Sequence, residues 1–177
     1  MNKHVFIING SGGVGKDTFV KLVGIKMNDI HKGFGTVWNY SSVKKVKDIA
    51  KQVGWDGGKT EKDRKFLSDL KVLISEYSDA PFNDMKDVYN EFLDDDKSYF
   101  LFFHIREPKE IERAAREFSA RTVLVIRDDV KHIESNMADK NVFNYEYDYI
   151  ICNNSSMDYL EKLAAKFISI ETWGDEN

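Results

Sequence analysis

Short apolar runs alternate along the chain with longer stretches in which apolar residues recur every three or four positions. Five of the short runs predict β-strands: Val5–Ile8, Thr36–Tyr40, Tyr99–Ile105, Thr122–Ile126 and Tyr149–Cys152. Because these runs are nearly all apolar, we expect strands of a parallel sheet that is covered on both faces.

Six apolar stripes with helical spacing follow or separate these runs. They comprise Phe19, Leu22, Val23, Met27 and Ile30; Val43, Val46, Ala50 and Val53; Phe66, Leu67, Leu70, Leu73, Ile74 and Tyr77; Met85, Val88, Tyr89 and Phe92; Ile111, Ala114, Ala115 and Phe118; and Leu160, Leu163, Ala164 and Phe167. The third helix has a predicted cap at Thr60, with Asp63 three residues later. Strands that alternate with helices predict an α/β fold with a doubly wound parallel sheet.

The chain has 177 residues, which suits a single domain spanning 1–177. Only two prolines, Pro81 and Pro108, are present, so the sequence gives little support to a flexible hinge between domains. Residues 41–96 interrupt the strand–helix alternation with about three helical stripes and no strand. We expect this stretch to be a helical insertion at one side of the sheet.

Composition narrows the classes of function. The net charge of −4 argues against a protein that binds nucleic acid by neutralising many phosphates. The single cysteine, Cys152, excludes an internal disulfide, and its apolar surroundings predict a buried thiol. No apolar stretch approaches the roughly 18 residues of a membrane span, and the first residues do not resemble a signal peptide. We therefore expect a cytoplasmic protein without a nucleic-acid or membrane partner.

A glycine-rich loop joins the first predicted strand to the first predicted helix. It matches the Walker A pattern G-x-x-x-x-G-K and consists of Gly10, Ser11, Gly12, Gly13, Val14, Gly15, Lys16, Asp17 and Thr18. Such a loop presents backbone N–H groups to phosphates, the helix N-terminus adds partial positive charge, and the lysine reaches the β- and γ-phosphates. The loop predicts a site for a nucleoside triphosphate, and we expect ATP.

The residue after the lysine departs from the usual Ser or Thr, whose hydroxyl binds Mg²⁺. Asp17 stands there, with Thr18 next. Both are candidate Mg²⁺ ligands. Asp17 has a second interpretation, as an acid in the first turn that is favoured by the helix dipole.

The loop G-x-x-x-x-G-K-D-T resembles that of deoxynucleoside monophosphate kinases of the phage type, and of small kinases such as phosphomevalonate kinase. Three further segments are similar to this group: residues 62–67 to its acceptor-side helix, residues 102–110 to a strand followed by an arginine and then Pro-x-Glu, and residues 147–154 to the last strand and Asn-containing turn that dephospho-CoA kinases also share. The resemblance implies a P-loop NTPase fold with five parallel strands, an acceptor-binding insertion and a short lid at 127–148.

The resemblance also implies roles for individual residues. Lys16, Arg106 and Arg127 would act in catalysis, and Arg64, Arg106 and His104 would bind the acceptor. His104 stands where the family carries a strand-end aspartate, and as a neutral imidazole it would accept a hydrogen bond. Within the lid, Lys131, His132 and Lys140 are more typical of solvated surface residues than of contacts.

These features together predict phosphoryl transfer from MgATP to a small acceptor, with a nucleoside or deoxynucleoside monophosphate as the first candidate. Two alternatives remain open at this point. One is a nucleotide-binding regulatory or accessory protein with lost or weak transfer, which His104 and the arginine-poor lid favour. The other is a kinase for a non-nucleotide phosphorylated metabolite. A GTPase is disfavoured, because the chain lacks an Asn-Lys-x-Asp motif.

Overall fold

The structure is a computed structural model, and it describes residues 2–32, 36–130 and 142–172. The strands are β1 (His4–Asn9), β2 (Thr36–Ser41), β3 (Ser98–His104), β4 (Arg121–Ile126) and β5 (Tyr149–Cys152). The helices are α1 (Lys16–Ile30), α2 (Lys44–Gln52), α3 (Glu61–Ser78), α4 (Ala80–Asp94), α5 (Pro108–Glu117) and α6 (Met157–Thr172).

The five strands form one parallel sheet in the order β2-β3-β1-β4-β5. All five predicted strands are confirmed, with ends that differ by at most one residue; Ile105, for example, lies just beyond β3. β1 lies between β3 and β4, with Ile7 paired to Phe103 and to Thr122. The predicted α/β fold with a five-stranded parallel sheet is therefore correct.

One face of the sheet is covered by α1 and α6, which pack against each other. An aromatic cluster fills this side: the ring of Phe6 lies 5.0 Å from that of Phe102 and 4.9 Å from that of Phe167 on α6. These rings are almost completely buried. The ring of Phe19 on α1 lies 5.6 Å from that of Phe167, so the cluster also holds α1 and the loop that precedes it.

The opposite face is covered by α5, which packs against β1 and β4. Pro108 occupies the start of this helix, where its missing N–H leaves no helical hydrogen bond unmade. Ile111 and Ala114 are fully buried, and the ring of Phe118 lies 5.0 Å from that of Phe103. Helices on both faces make the sheet doubly wound, as the sequence predicted.

The prediction that Cys152 is a buried thiol is wrong, because Cys152 is exposed. It lies on the edge strand β5 and shares a face with Ile150, which is 59% exposed, whereas Ile151 on the other face is buried. The helix α5 covers β1 and β4 on that side. An apolar run on an edge strand therefore has only one covered face.

Residues 40–94 form a compact unit of their own, separate from the unit that contains the sheet. It holds the three helices α2, α3 and α4, and α3 packs against both of the others. The Thr60–Asp63 capping box at the start of α3 is confirmed, with each side chain bonded to the other residue's backbone N–H.

Several residues of the predicted apolar stripes are exposed. The helix α3 has no buried residue, and Leu73 and Tyr77 are 64% and 90% exposed. Ile30 and Val53, at the ends of their stripes, are exposed as well. Spacing establishes that residues share a helix face, but a neighbouring element must cover that face to bury it.

No helix among the described residues is long and apolar enough to cross a lipid bilayer.

Candidate nucleotide-binding site

The glycine-rich loop connects the buried end of β1 to the first residue of α1. Three of its glycines have positive φ: +145° at Gly10, +84° at Gly13 and +99° at Gly15. This backbone conformation is readily adopted only by glycine, and it lets the chain curl around the N-terminus of α1. No side chain caps that helix end, so its first N–H groups are not satisfied by a side chain of the cap residue.

Two loop positions also lack room for a side chain. A Cβ atom at Gly10 would collide with the backbone oxygen of Val125 on β4, and one at Gly15 would lie 2.5 Å from Nδ2 of Asn153. The sequence predicted glycine here for access to phosphate. The structure adds a second reason, which is the close approach of β4 and of the turn after β5.

The ammonium group of Lys16 donates to the backbone oxygens of Gly10 at 2.6 Å and of Ser11 at 2.9 Å. These bonds hold the cation against the start of the loop, where a bound polyphosphate would meet both the charge and the backbone amides. The curled loop, the uncapped helix end and the positioned lysine together form an anion-binding cradle.

Hydrogen bonds from two buried side-chain amides also fix the backbone of the loop. Val14 is 3% exposed and belongs to the hydrophobic core, and its backbone oxygen accepts a 2.8 Å bond from Nδ2 of the buried Asn153. At the other end, Oδ1 of the fully buried Asn9 accepts a 2.8 Å bond from the N–H of Gly10. The loop is thus held at Gly10 by an amide side chain of β1 and at Val14 by an amide side chain of the turn after β5.

His104, the last residue of β3, lies against the first turn of α1. Its Nδ1 is 3.7 Å from Oδ1 of Asp17, whose side chain is 90% exposed. Burial lowers the pKa of His104 to about 4, against the opposing effect of the Asp17 carboxylate. The imidazole is therefore neutral near pH 7, and its buried Nε2 has no hydrogen-bond partner among the described residues.

Two of the predicted arginines share the edge of the sheet where the loop lies. Arg106 follows β3 and is half-buried, and its backbone oxygen accepts a 3.3 Å bond from Asn9. Arg127 follows β4 and is exposed. Because the carboxyl ends of parallel strands meet at one edge, Lys16, His104, Arg106 and Arg127 all belong to that edge.

The other predicted residues are placed differently. Arg64 is exposed on α3, within the separate unit of residues 40–94. Lys131, His132 and Lys140 lie outside the described residues, as does half of the predicted lid.

Three supporting residues had no assigned role in the sequence prediction: Asn9, Tyr147 and Asn153. The sequence pattern places Asn153 only in the Asn-containing turn after the last strand. A usable signal existed for Asn9, because a carboxamide that ends an otherwise apolar strand, directly before Gly10, needs hydrogen-bond partners once it is buried. Tyr147 lies far from the loop in sequence, and only the structure shows its contact with Asn9.

The first turn of α1 offers oxygen atoms for a magnesium ion. Mg²⁺ is commonly held by one or two carboxylates together with water and substrate phosphates. The open carboxylate of Asp17 and the half-buried Thr18 beside it fit that requirement. Among the described residues there is no cluster of three or more His, Cys, Asp and Glu side chains that could hold a metal ion. A magnesium ion bound here would therefore need phosphate oxygens and water as further ligands.

Comparison with one solved structure supports this description of the fold. Thymidylate kinase from Ehrlichia chaffeensis aligns over 95% of this chain and 100% of its own, with 11% identity and a TM-score of 0.50. The fold is that of a P-loop kinase. Shikimate kinase from Aquifex aeolicus covers 96% of this chain and 98% of its own at 14% identity, with a TM-score of 0.47. No protein-family model and no curated protein sequence matches the chain.

Proposed function

We propose that the chain binds MgATP in the loop of residues 10–18 and transfers the terminal phosphoryl group to a small acceptor. The cradle carries this proposal: three glycines with positive φ, an uncapped helix N-terminus and Lys16 held over the loop. Such an arrangement binds polyphosphate through backbone amides and one cation, and phosphoryl transfer requires mainly positioning and electrostatic stabilisation.

Within this proposal the backbone amides of the loop and Lys16 hold the donor phosphates. Asp17 and Thr18 would hold Mg²⁺, which would supply positive charge that neutralises the phosphates. Arg106 and Arg127, at the ends of β3 and β4, stabilise charge near the transferring group. No covalent nucleophile is required for this chemistry.

For the acceptor we propose a nucleoside or deoxynucleoside monophosphate, bound by Arg106 with His104 as a hydrogen-bonding group; a contact from Arg64 stays a prediction from the sequence. This choice rests on the resemblance of the loop and of the segments at residues 62–67 and 102–110 to deoxynucleoside monophosphate kinases. A phosphorylated metabolite that is not a nucleotide remains the alternative acceptor.

Calorimetric titration with MgATP tests the donor site. We expect wild-type protein to bind MgATP, and Lys16→Ala to weaken the affinity by about tenfold or more through loss of a charge-assisted contact. Lys21→Ala is the matched control, because Lys21 is an exposed lysine on the same helix and its removal changes the net charge equally. Equal affinities of wild type and Lys16→Ala would refute the proposed donor site.

The acceptor is tested by mixing ATP and Mg²⁺ with a panel of nucleoside and deoxynucleoside monophosphates and measuring ADP. Production of ADP that depends on one monophosphate supports the proposal. If the protein binds ATP but the whole panel gives no ADP, the monophosphate-kinase assignment fails.

A second candidate function is a nucleotide-binding regulatory or accessory protein. One observation favours it: the strand-end position next to Asp17 holds the imidazole of His104, a group that cannot supply the negative charge of a carboxylate. Tight MgATP binding without turnover on nucleotide or metabolite acceptors would support this function over a kinase.

A further inference from the structure

A hydrogen-bond network joins the first residue of the phosphate loop to two other segments. Asn9 is completely buried, and the described hydrogen bonds of its side chain all go to residues outside β1. Its Oδ1 accepts from the Gly10 N–H at 2.8 Å, and its Nδ2 donates to the hydroxyl oxygen of Tyr147 at 2.7 Å and to the backbone oxygen of Arg106 at 3.3 Å.

The Tyr147 hydroxyl fixes the orientation of the Asn9 amide. That hydroxyl has one hydrogen, which it donates to the backbone oxygen of Val142 at 2.9 Å. It therefore presents only lone pairs to Asn9, and only the NH₂ group of an amide can satisfy them. With Nδ2 directed to Tyr147, the amide oxygen must face Gly10.

The bond to Gly10 lies at the position where the loop departs from the strand. Gly10 has φ of +145° and no room for a Cβ atom beside the backbone of Val125, so the direction in which the loop leaves β1 is set at this residue. Asn9 also bonds the backbone of Arg106, which the proposed function places near the transferring phosphoryl group. One buried amide thus relates the position of the loop to that of the Arg106 segment.

We propose that Tyr147 is a positioning residue of the nucleotide site, which orients the Asn9 amide and thereby presets the start of the phosphate loop and the Arg106 backbone before nucleotide binds. The claim about the loop geometry is independent of the proposed function. Its consequence for ATP affinity rests on that function.

Amide hydrogen exchange of Gly10, followed by NMR without nucleotide, tests the geometry. We expect Tyr147→Phe to accelerate exchange of the Gly10 N–H about fivefold, as loss of one acceptor loosens the Asn9 amide. Asn9→Ala, which removes the acceptor itself, should accelerate it more. The amide of Ile7, within the β1 ladder, should be unchanged in Tyr147→Phe, which separates a local effect from general destabilisation.

Tyr145→Phe is the matched control. The Tyr145 ring contacts that of Tyr147 at 5.1 Å, so this variant removes a hydroxyl from the same aromatic pair without touching the three bonds of Asn9. We expect wild-type exchange at Gly10 in this variant. Unchanged Gly10 exchange in Tyr147→Phe, or an equal increase in Tyr145→Phe, would overturn the positioning role.

Calorimetry with MgATP on the same proteins tests the consequence for binding. We expect Tyr147→Phe to weaken affinity about three- to tenfold, with Tyr145→Phe close to wild type. Faster Gly10 exchange with unaltered affinity would contradict a role in positioning the loop for phosphate. Failure of the wild type to bind MgATP would instead refute the proposed function, and the exchange result would still decide the claim about geometry.

Discussion

The loop glycines with positive φ have different surroundings, although the sequence treats them alike. A Cβ atom at Gly10 would meet the backbone of β4, which cannot move aside without disturbing the sheet. A Cβ atom at Gly13 would have no atom within 4 Å, so only its φ of +84° opposes a side chain there.

This difference predicts unequal costs for two alanine substitutions. Gly13→Ala should lower the free energy of unfolding by about 1–2 kcal/mol, the usual cost of a left-handed conformation. Gly10→Ala adds a steric clash and should cost clearly more. Urea denaturation of both variants measures the difference, and equal losses would contradict the close approach to Val125.

His104 is a second residue whose environment, rather than its type, sets its behaviour. Burial lowers its pKa to about 4, whereas the unfolded chain has the ordinary value of 6.5. Between these values the unfolded state binds a proton that the folded state does not, so stability is lost as the pH falls from 6.5 towards 4.

We expect His104→Gln to be less sensitive to acid than the wild type. The decline in unfolding free energy between pH 7 and pH 4.5 should be smaller in the variant by roughly 1–3 kcal/mol. Urea titrations at the two pH values provide the measurement, with the difference between the proteins isolating His104 from other groups. Parallel declines would show that the imidazole is not held neutral.

At the scale of elements, α3 shows what local sequence can specify. Its start is set by Thr60 and Asp63, and hydrogen bonds from Thr60 lower the pKa of Asp63. These contacts involve residues three apart, so the sequence contains all the information they need. The burial of the helix depends on distant elements, and no residue of its apolar stripe is buried.

Removing the cap should therefore have a measurable local effect. Thr60→Ala should destabilise the helical unit by about 1 kcal/mol, because an N–H in the first turn loses its acceptor. Ser68→Ala, an exposed substitution in the middle of the same helix, is the control and should be neutral or slightly stabilising. Urea titration followed by circular dichroism compares them; a loss in Ser68→Ala that equals the loss in Thr60→Ala would contradict a role for the cap.

At the scale of the whole molecule, the residues at the carboxyl ends of the strands and those at the amino ends serve different purposes. The carboxyl edge carries the loop and the candidate site residues. At the amino edge, Arg121 at the start of β4 forms an ion pair with the buried Glu171 of α6, and both side chains contact Nδ1 of His4 on β1. This cluster ties the last helix to two central strands, far along the chain from each other.

Breaking the cluster should affect stability and spare the nucleotide site. Arg121→Met leaves the carboxylate of Glu171 buried without its main partner and should cost about 3 kcal/mol. The double variant Arg121→Met/Glu171→Met removes both charges and should recover most of this loss. Thermal unfolding and MgATP calorimetry test both claims. A tenfold loss of ATP affinity in either variant would contradict the claim that the cluster does not affect the nucleotide site.

The order of short apolar runs, the helical spacing and the G-x-x-x-x-G-K loop determined the strands, the helices and the doubly wound parallel sheet. They could do so because secondary structure and loop chemistry depend on residues close together in the chain. The tertiary structure decided which faces are covered, leaving Cys152 exposed on an edge strand and Leu73 and Tyr77 exposed on α3. It also brought Tyr147 to Asn9 and Asn153 to the loop. Burial and long-range hydrogen bonds depend on contacts between elements that are distant in sequence, and a local sequence pattern does not specify those contacts.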